Sequence, residues 1–261
     1  MDFVGKKIIV TGASSGIGAE LAKQLAARGA IVAGVARRAD RLDAVIAECA
    51  ASTPASNSFV ADLSDPEAAS KLMLQIWDHY QGIDILINNA GMGMRKLLLE
   101  HTPGDIDSVL RTNLVGPIRM SQVLIPKMIA AGGGMIVNVA SGGGRFGIPH
   151  ESIYCASKFG LTGWSEVAAI ELVDTPVQVK LIQPGAVESE IWDARSGEVS
   201  GMIGAEFISS AECARGIIEA LGEPGVEHYV PKDLINIVEM RRGDEGMFFR
   251  MMADIGNQKF A

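Results

Sequence analysis

The chain has 261 residues, 48% of them hydrophobic, with 30 glycines and a formal net charge of −8. That length fits one α/β domain with a large core and frequent turns. An acidic balance without a long basic run argues against nucleic acid or an anionic membrane as partner, and no apolar run reaches membrane-spanning length.

Cys49, Cys155 and Cys213 are scattered and lack metal-ligand spacing, so no metal site is expected and a reducing compartment follows. The start, Met1 to Lys7, carries no signal-peptide core, which points to the cytoplasm.

Ile8-Ile9-Val10 reads as a strand buried on both faces. It runs into Thr11-Gly12-Ala13-Ser14-Ser15-Gly16-Ile17-Gly18, and a helical pattern continues to Gly29. Strand, glycine-rich turn and helix make a phosphate loop: glycines let the backbone approach, and the helix N-terminus offers free N–H groups. The spacing is T-G-x-x-x-G-x-G, because Leu21 stands where G-x-G-x-x-G has its third glycine.

A second strand, Ile31 to Ala36, ends in Arg37-Arg38. In a nicotinamide-binding unit this strand end lies beside the adenosine ribose, where an acid would hold the 2′-hydroxyl of NAD. Ala36 followed by two guanidinium groups suits a 2′-phosphate, so NADP(H) is expected ahead of NAD(H). Alternatively, Arg37 and Arg38 solvate the next helix with Asp40 and Asp43 as partners.

A third strand near Ser58 to Ala61 leads to Asp62-Leu63, a candidate adenine contact. Ser64-Asp65-Pro66-Glu67 reads as a helix start. A fourth strand, Ile83 to Ile87, ends in Asn88-Asn89-Ala90-Gly91, either a tie between loops along the cofactor groove or a plain turn. One long helix is expected from about Gly104 to Ala131, with Asn113 inside it, and Gly132-Gly133-Gly134 ends it. A fifth strand, Met135 to Ala140, delivers Ser141 to the carboxyl edge, where open α/β sheets place ligands.

Tyr154 and Lys158 open the next helix four residues apart, on one face. The ammonium is expected to favour phenolate and lower the tyrosine pKa toward neutrality. A sixth strand, Val177 to Ile182, precedes Pro184-Gly185. The alternation of strand and helix predicts a doubly wound, Rossmann-type parallel sheet of about seven strands with helices on both faces.

Thr11-Gly12-x-x-x-Gly16-x-Gly18, Asp62, Asn88-Asn89-Ala90-Gly91, Asn113, Ser141, Tyr154-x-x-x-Lys158 and Pro184-Gly185, in this order, resemble the compact single-domain branch of the short-chain dehydrogenase/reductase family over roughly residues 5–190. The resemblance implies that Tyr154 gives or takes the substrate proton and that Ser141 polarises the substrate oxygen. It implies that Lys158 lowers the Tyr154 pKa and holds the nicotinamide ribose. Asn113 would kink its helix and hold a water in a relay from Lys158. Pro184, Gly185 and Val187 would run beside the nicotinamide, with Ser189 where the family has threonine. A homodimer or homotetramer is also implied.

The expected function is NADP(H)-dependent oxidoreduction of a ketone, aldehyde or secondary alcohol. The alternative is a non-catalytic NADP(H)-binding sensor on the same fold; retention of Asn113, Ser141, Tyr154 and Lys158 separates the two, since a sensor needs only the nucleotide half. The region about 190–210 is expected to be a substrate lid or a surface helix. The apolar tail from about 233 to 261 is expected to pack on the domain or on another subunit ahead of lining the substrate pocket or touching a membrane surface, and together with Gly142-Gly143-Gly144 it favours a moderately hydrophobic carbonyl substrate.

Overall fold

The structure, a computed structural model, describes residues 1–188, 190 and 207–257. Seven parallel strands run in the order β3-β2-β1-β4-β5-β6-β7: β1 Lys7–Thr11, β2 Ile31–Ala36, β3 Asn57–Val60, β4 Ile85–Asn88, β5 Gly134–Val139, β6 Val177–Pro184 and β7 Glu227–Val230. The strand order reverses between β1 and β4, the point at which such sheets form a ligand crevice.

Strand side chains alternate between two cores, which is why the sequence runs are apolar throughout. Ile8, Val10, Ile87 and Val139 pack with Leu21 and Leu25 of α1 (Gly16–Ala26), Leu42 of α2 (Ala39–Ser52) and Ile217 of α7 (Ser210–Leu221). Ile9, Val35, Leu86 and Ile136 face the other way, against Met73 of α3 (Pro66–Tyr80) and Leu124 of α5 (Gly116–Ala130). The result is a three-layer doubly wound fold.

Asp65 caps α3, its carboxylate accepting from the backbone N–H groups of Glu67 at 3.0 Å and Ala68 at 3.1 Å, with Pro66 in the first turn. The long helix expected over 104–131 is interrupted. α4 (Pro103–Leu110) passes into a π-helical turn, Arg111–Val115, before α5. Asn113 sits inside that turn, buried.

The C-terminal tail forms α8 (Ile235–Gly243) and α9 (Glu245–Asn257). Phe248 and Met252 of α9, with Leu234 and Val238, bury Phe146 from the segment after β5. Their apolar character therefore goes into closing over this segment. Most of the 190–210 stretch, and Ser189, lie outside the described residues.

Candidate active site

The residues named from sequence converge on a cleft of about 380 Å³ at the carboxyl edge of the sheet. The candidate catalytic and cofactor residues all line it except Asn113, which is buried, and Ser189, which is outside the described residues; Thr11 and Asn88 of the same motifs are buried and do not line it.

At one end lies the glycine loop. A Cβ on Gly18 would stand 2.2 Å from the Gly12 carbonyl oxygen and 2.6 Å from Asn89 Nδ2. Only glycine lets α1 start this close to β1, and so turn its free N–H groups into the cleft. Thr11 Oγ1 accepts from the N–H groups of Asn89 at 2.9 Å and Ala90 at 3.0 Å, and Asn89 Nδ2 donates to the Thr11 carbonyl at 2.9 Å. The two asparagines divide their work. Asn89 ties the loops after β1 and β4 together, while Asn88 is buried and donates to Asn138 Oδ1 at 2.8 Å and Ser121 Oγ at 3.1 Å.

At the end of β2 the Arg38 guanidinium donates to Ser15 Oγ at 2.6 Å and Ser14 Oγ at 3.3 Å. Its other nitrogen bonds Glu190 at 2.8 Å, and Arg41 reaches the second Glu190 oxygen at 2.6 Å. These contacts, rather than Asp40 and Asp43, are what Arg38 serves; Asp43 accepts from Ser58 Oγ at 2.6 Å instead. Arg37 lines the cleft. The backbone N–H of Ser64 holds the Asp62 carboxyl below its usual range, with a smaller contribution from the Arg37 charge.

At the other end stand Ser141, Tyr154 and Lys158. The Ser141 side chain hydrogen-bonds the Tyr154 phenol and accepts from the Gly143 N–H at 3.1 Å. Tyr154 and Lys158 lie on α6 (Ser152–Glu171), with Lys158 Nζ 5.7 Å from the phenol ring centroid. The ammonium donates to the Val139 carbonyl at 3.0 Å.

The expected lowering of the Tyr154 pKa is reversed here. Burial pushes the phenol up, opposed by the Ser141 hydrogen bond and aided by the Glu151 charge. Burial also pulls Lys158 down to about 8, so the ammonium persists at neutral pH but is lost on the alkaline side well before an ordinary lysine would lose it. Two adjacent desolvated groups each favour the neutral form.

Asn113 holds the loop after β4. Its Oδ1 accepts from the Met92 N–H at 2.9 Å, and its Nδ2 donates to the Met92 carbonyl at 3.0 Å and to Ser157 Oγ at 3.1 Å. Both amide hydrogens are thus engaged in joining this loop to α6.

Three features escaped the sequence reading. Gln183, fully buried on β6, accepts the Ser141 N–H at 3.1 Å and donates to Thr162 Oγ1 at 3.1 Å and Glu227 Oε1 at 2.9 Å. Its signal was a polar residue inside an apolar strand. Arg41 joins Arg38, one helical turn on. Arg95 and Glu151 form an ion pair at 3.5 Å and both line the cleft. None of the described α8 or α9 residues lines it.

A family model described as short chain dehydrogenase matches residues 6–199. The chain belongs to this family. It is 36% identical over 198 residues to a D-threitol dehydrogenase of Mycolicibacterium smegmatis, covering 74% of this chain and 76% of that one. It is 33% identical over 195 residues to a 3-oxoacyl-(acyl-carrier-protein) reductase of Staphylococcus aureus, covering 74% and 79%. A short-chain dehydrogenase from Sphingobium yanoikuyae, solved in complex with NADPH, superposes with a TM-score of 0.81 at 27% identity over 91% of this chain and 94% of that one. As a short-chain dehydrogenase, the protein is a nicotinamide-dependent oxidoreductase acting at CH–OH and C=O groups.

The cleft fits such a cofactor on its own features: a glycine cradle that any Cβ would fill, a guanidinium pair at the end of β2 and an acid–hydroxyl–amine group at the far end. Among the described residues no cluster of metal-ligating side chains occurs, and no helix is long and apolar enough to cross a membrane.

Proposed function

We propose that the protein is an NADP(H)-dependent oxidoreductase interconverting a ketone or aldehyde and the corresponding alcohol, with Tyr154 as general acid/base. The observation that carries the cofactor preference is Arg38, whose guanidinium spans the Ser14 and Ser15 hydroxyls of the phosphate loop at the end of a strand that lacks a carboxylate. Gly12, Gly16 and Gly18 admit the pyrophosphate to the start of α1, Asp62 and Leu63 border the adenine, and Ala90, Gly91, Pro184, Gly185 and Val187 line the nicotinamide end.

The bound cofactor supplies the hydride. Ser141 Oγ, fixed through its own backbone by Gln183, holds the substrate oxygen. Tyr154 is kept protonated by burial and therefore stands ready to give its hydroxyl proton to that oxygen in the reducing direction. Lys158, braced on Val139, sits beside the phenol and compensates phenolate as it forms.

The test follows loss of reduced nicotinamide across aldehydes and ketones, with NADPH and NADH, for wild type and Tyr154→Phe. NADPH turnover that drops at least about 100-fold in the variant, with NADPH affinity within a few-fold, is the expected result. A variant retaining more than about a tenth of the rate would sink the acid/base role. Equal efficiency with both cofactors would sink the NADP(H) preference.

A further inference from the structure

Ser141 heads a turn of three glycines, Gly142–Gly144, which has no side chains of its own to anchor it. The anchors come from behind. Gln183 on β6 accepts the Ser141 N–H at 3.1 Å through Oε1, and its Nε2 donates to Thr162 Oγ1 at 3.1 Å and Glu227 Oε1 at 2.9 Å. Glu227, on the neighbouring β7, also accepts from Arg145 Nε at 2.6 Å and Arg145 Nη2 at 2.9 Å. Arg145 closes the glycine turn, so the turn is clasped at both ends by one amide and one carboxylate. Its guanidinium also reaches Glu166 of α6, and its carbonyl accepts from Arg241 Nη1 of α8 at 2.9 Å.

The clasp has a direction. A glutamine amide can sit either way round with nearly the same shape, but only its oxygen suits the Ser141 N–H. Thr162 cannot enforce that choice, because a hydroxyl donates or accepts. Glu227 can. Burial pushes its carboxyl up, but the hydrogen bonds from Arg145 and Gln183 and the Arg145 charge outweigh burial and hold it below its usual range. At neutral pH it is therefore a carboxylate, which only accepts. It demands the amide NH2 of Gln183 and so turns the amide oxygen onto Ser141. The Arg145 and Glu227 side chains are 18% and 24% exposed, and an ion pair so enclosed is weak evidence for stability. The orientation it imposes is its clearer consequence.

We propose that Glu227, braced by Arg145, is a positioning residue for the reaction: it orients the Gln183 amide, which holds the Ser141 backbone and keeps the Ser141 hydroxyl aimed at the substrate oxygen. This rests on the role of Ser141 proposed above and deepens it. Neither Glu227 nor Arg145 lines the cleft, so Glu227 acts only through Gln183 and Ser141. What Gln183 needs from position 227 is an acceptor rather than a charge. In Glu227→Gln the amide oxygen belongs where Arg145 Nε and Gln183 Nε2 both donate, so the orientation survives that change.

The test uses NADPH and the aldehyde or ketone that wild type reduces fastest in the panel above. Glu227→Val is expected to lower kcat about 10- to 100-fold, the scale on which a misplacement of about 1 Å counts. The KM for NADPH should stay within about threefold, and Glu227→Gln should recover most of the lost kcat. Added to Gln183→Leu or to Ser141→Ala, Glu227→Val should cost less than about twofold further, because residues acting through one another are not additive. A merely structural role would instead lower the melt while leaving kcat alone, or multiply the losses. A folded Glu227→Val that keeps its kcat, a Glu227→Gln as slow as Glu227→Val, or multiplying losses would overturn the proposal and leave the oxidoreductase intact. Thr162→Val removes the other acceptor of the Gln183 amide and is expected to keep kcat within about twofold. A larger loss would give the orienting role to Thr162 and overturn that of Glu227, and this variant decides if Glu227→Val fails to fold. An unchanged kcat in Ser141→Ala would overturn the Ser141 role and this proposal with it. Absence of wild-type turnover across the panel would overturn the oxidoreductase reading as well.

Discussion

Arg38 and Glu190 bond at 2.8 Å, so a carboxylate from the loop after β6 occupies the guanidinium that also spans the phosphate-loop serines. Arg41 holds the other oxygen of the same carboxylate. The two guanidinium groups form an anion seat filled by an internal anion, and a 2′-phosphate must compete for it. Arg38→Ala is expected to raise the KM for NADPH by roughly 10- to 100-fold, the scale of a lost charge-assisted hydrogen bond, and that for NADH much less. Glu190→Gln should lower the KM for NADPH a few-fold, since the exposed pair it breaks is weak. Steady-state kinetics with both cofactors check both expectations; equal effects on the two would remove Arg38 from the phosphate site.

Gly18→Ala places a methyl within 2.2 Å of a backbone oxygen that has no room to retreat. The start of α1 must shift away from β1. Overpacking of this kind costs about 1–3 kcal/mol, and the shift carries the phosphate-binding N–H groups with it. Thermal melts and cofactor titration should therefore both show loss, with affinity falling by more than the melting temperature alone explains.

Gln183→Leu removes the group that fixes Ser141 and leaves the Ser141 N–H and the buried Thr162 hydroxyl short of a partner, while Glu227 keeps Arg145 at 2.6 Å. Unsatisfied buried groups cost about 1–3 kcal/mol each, so the melt should fall markedly. Because Ser141 binds the oxygen on which charge develops, kcat is expected to drop more than KM rises. An unchanged kcat in a folded variant would separate Gln183 from the reaction.

Burial sets the pH behaviour of the cofactor-free protein. Tyr80 is pushed up to about 12, and Tyr154 and Tyr229 are raised as well, so ultraviolet titration should show no phenolate below about pH 10. Groups with raised folded pKa values stabilise fully below the unfolded value, and that stability is lost as pH rises beyond it. Lys158 acts with the opposite sign. Its pKa falls from 10.5 to about 8, so the fold binds fewer protons than the unfolded chain in that window, and stability from this group rises between those values. Melts from neutral pH upward should show this rise in wild type and not in Lys158→Met. A phenolate signal below pH 9 that vanishes in Tyr154→Phe would contradict the burial argument.

Phe248 is fully buried against Phe146, their rings 6.0 Å apart. Phe248→Ala is expected to cost about 3–5 kcal/mol and to loosen the segment between Ser141 and Tyr154. Limited proteolysis of that segment and a denaturant melt measure the two effects.

The parts of this molecule that sequence displayed are those where a short segment must satisfy one strong local demand. Ile8-Ile9-Val10 had to be apolar on both faces, and Gly12 and Gly18 had to lack a Cβ. Tyr154 and Lys158 had to share a helix face. The parts it concealed depend on partners far apart in the chain. Gln183 matters because Ser141, Thr162 and Glu227 meet around it, and Arg95 with Glu151 only because two loops converge. The direction of the Tyr154 pKa is not legible in sequence, because spacing shows the neighbouring charge but conceals how deeply both groups are buried.

The π-helical turn at Arg111–Val115 fits one more residue into a turn than an α-helix would. Chain length is therefore part of the active-site apparatus. Deleting a single residue here, Thr112 for instance, would let α4 and α5 fuse into a regular helix that a search for good helix geometry would prefer. Everything on the α4 side would then be rephased by about 100°, the rotation per helical residue. The Met92 clamp of Asn113 and the loop bearing Arg95 lie within reach of that rephasing. Homologues or designs that differ here by one residue should differ in their cleft walls even where every motif residue is kept.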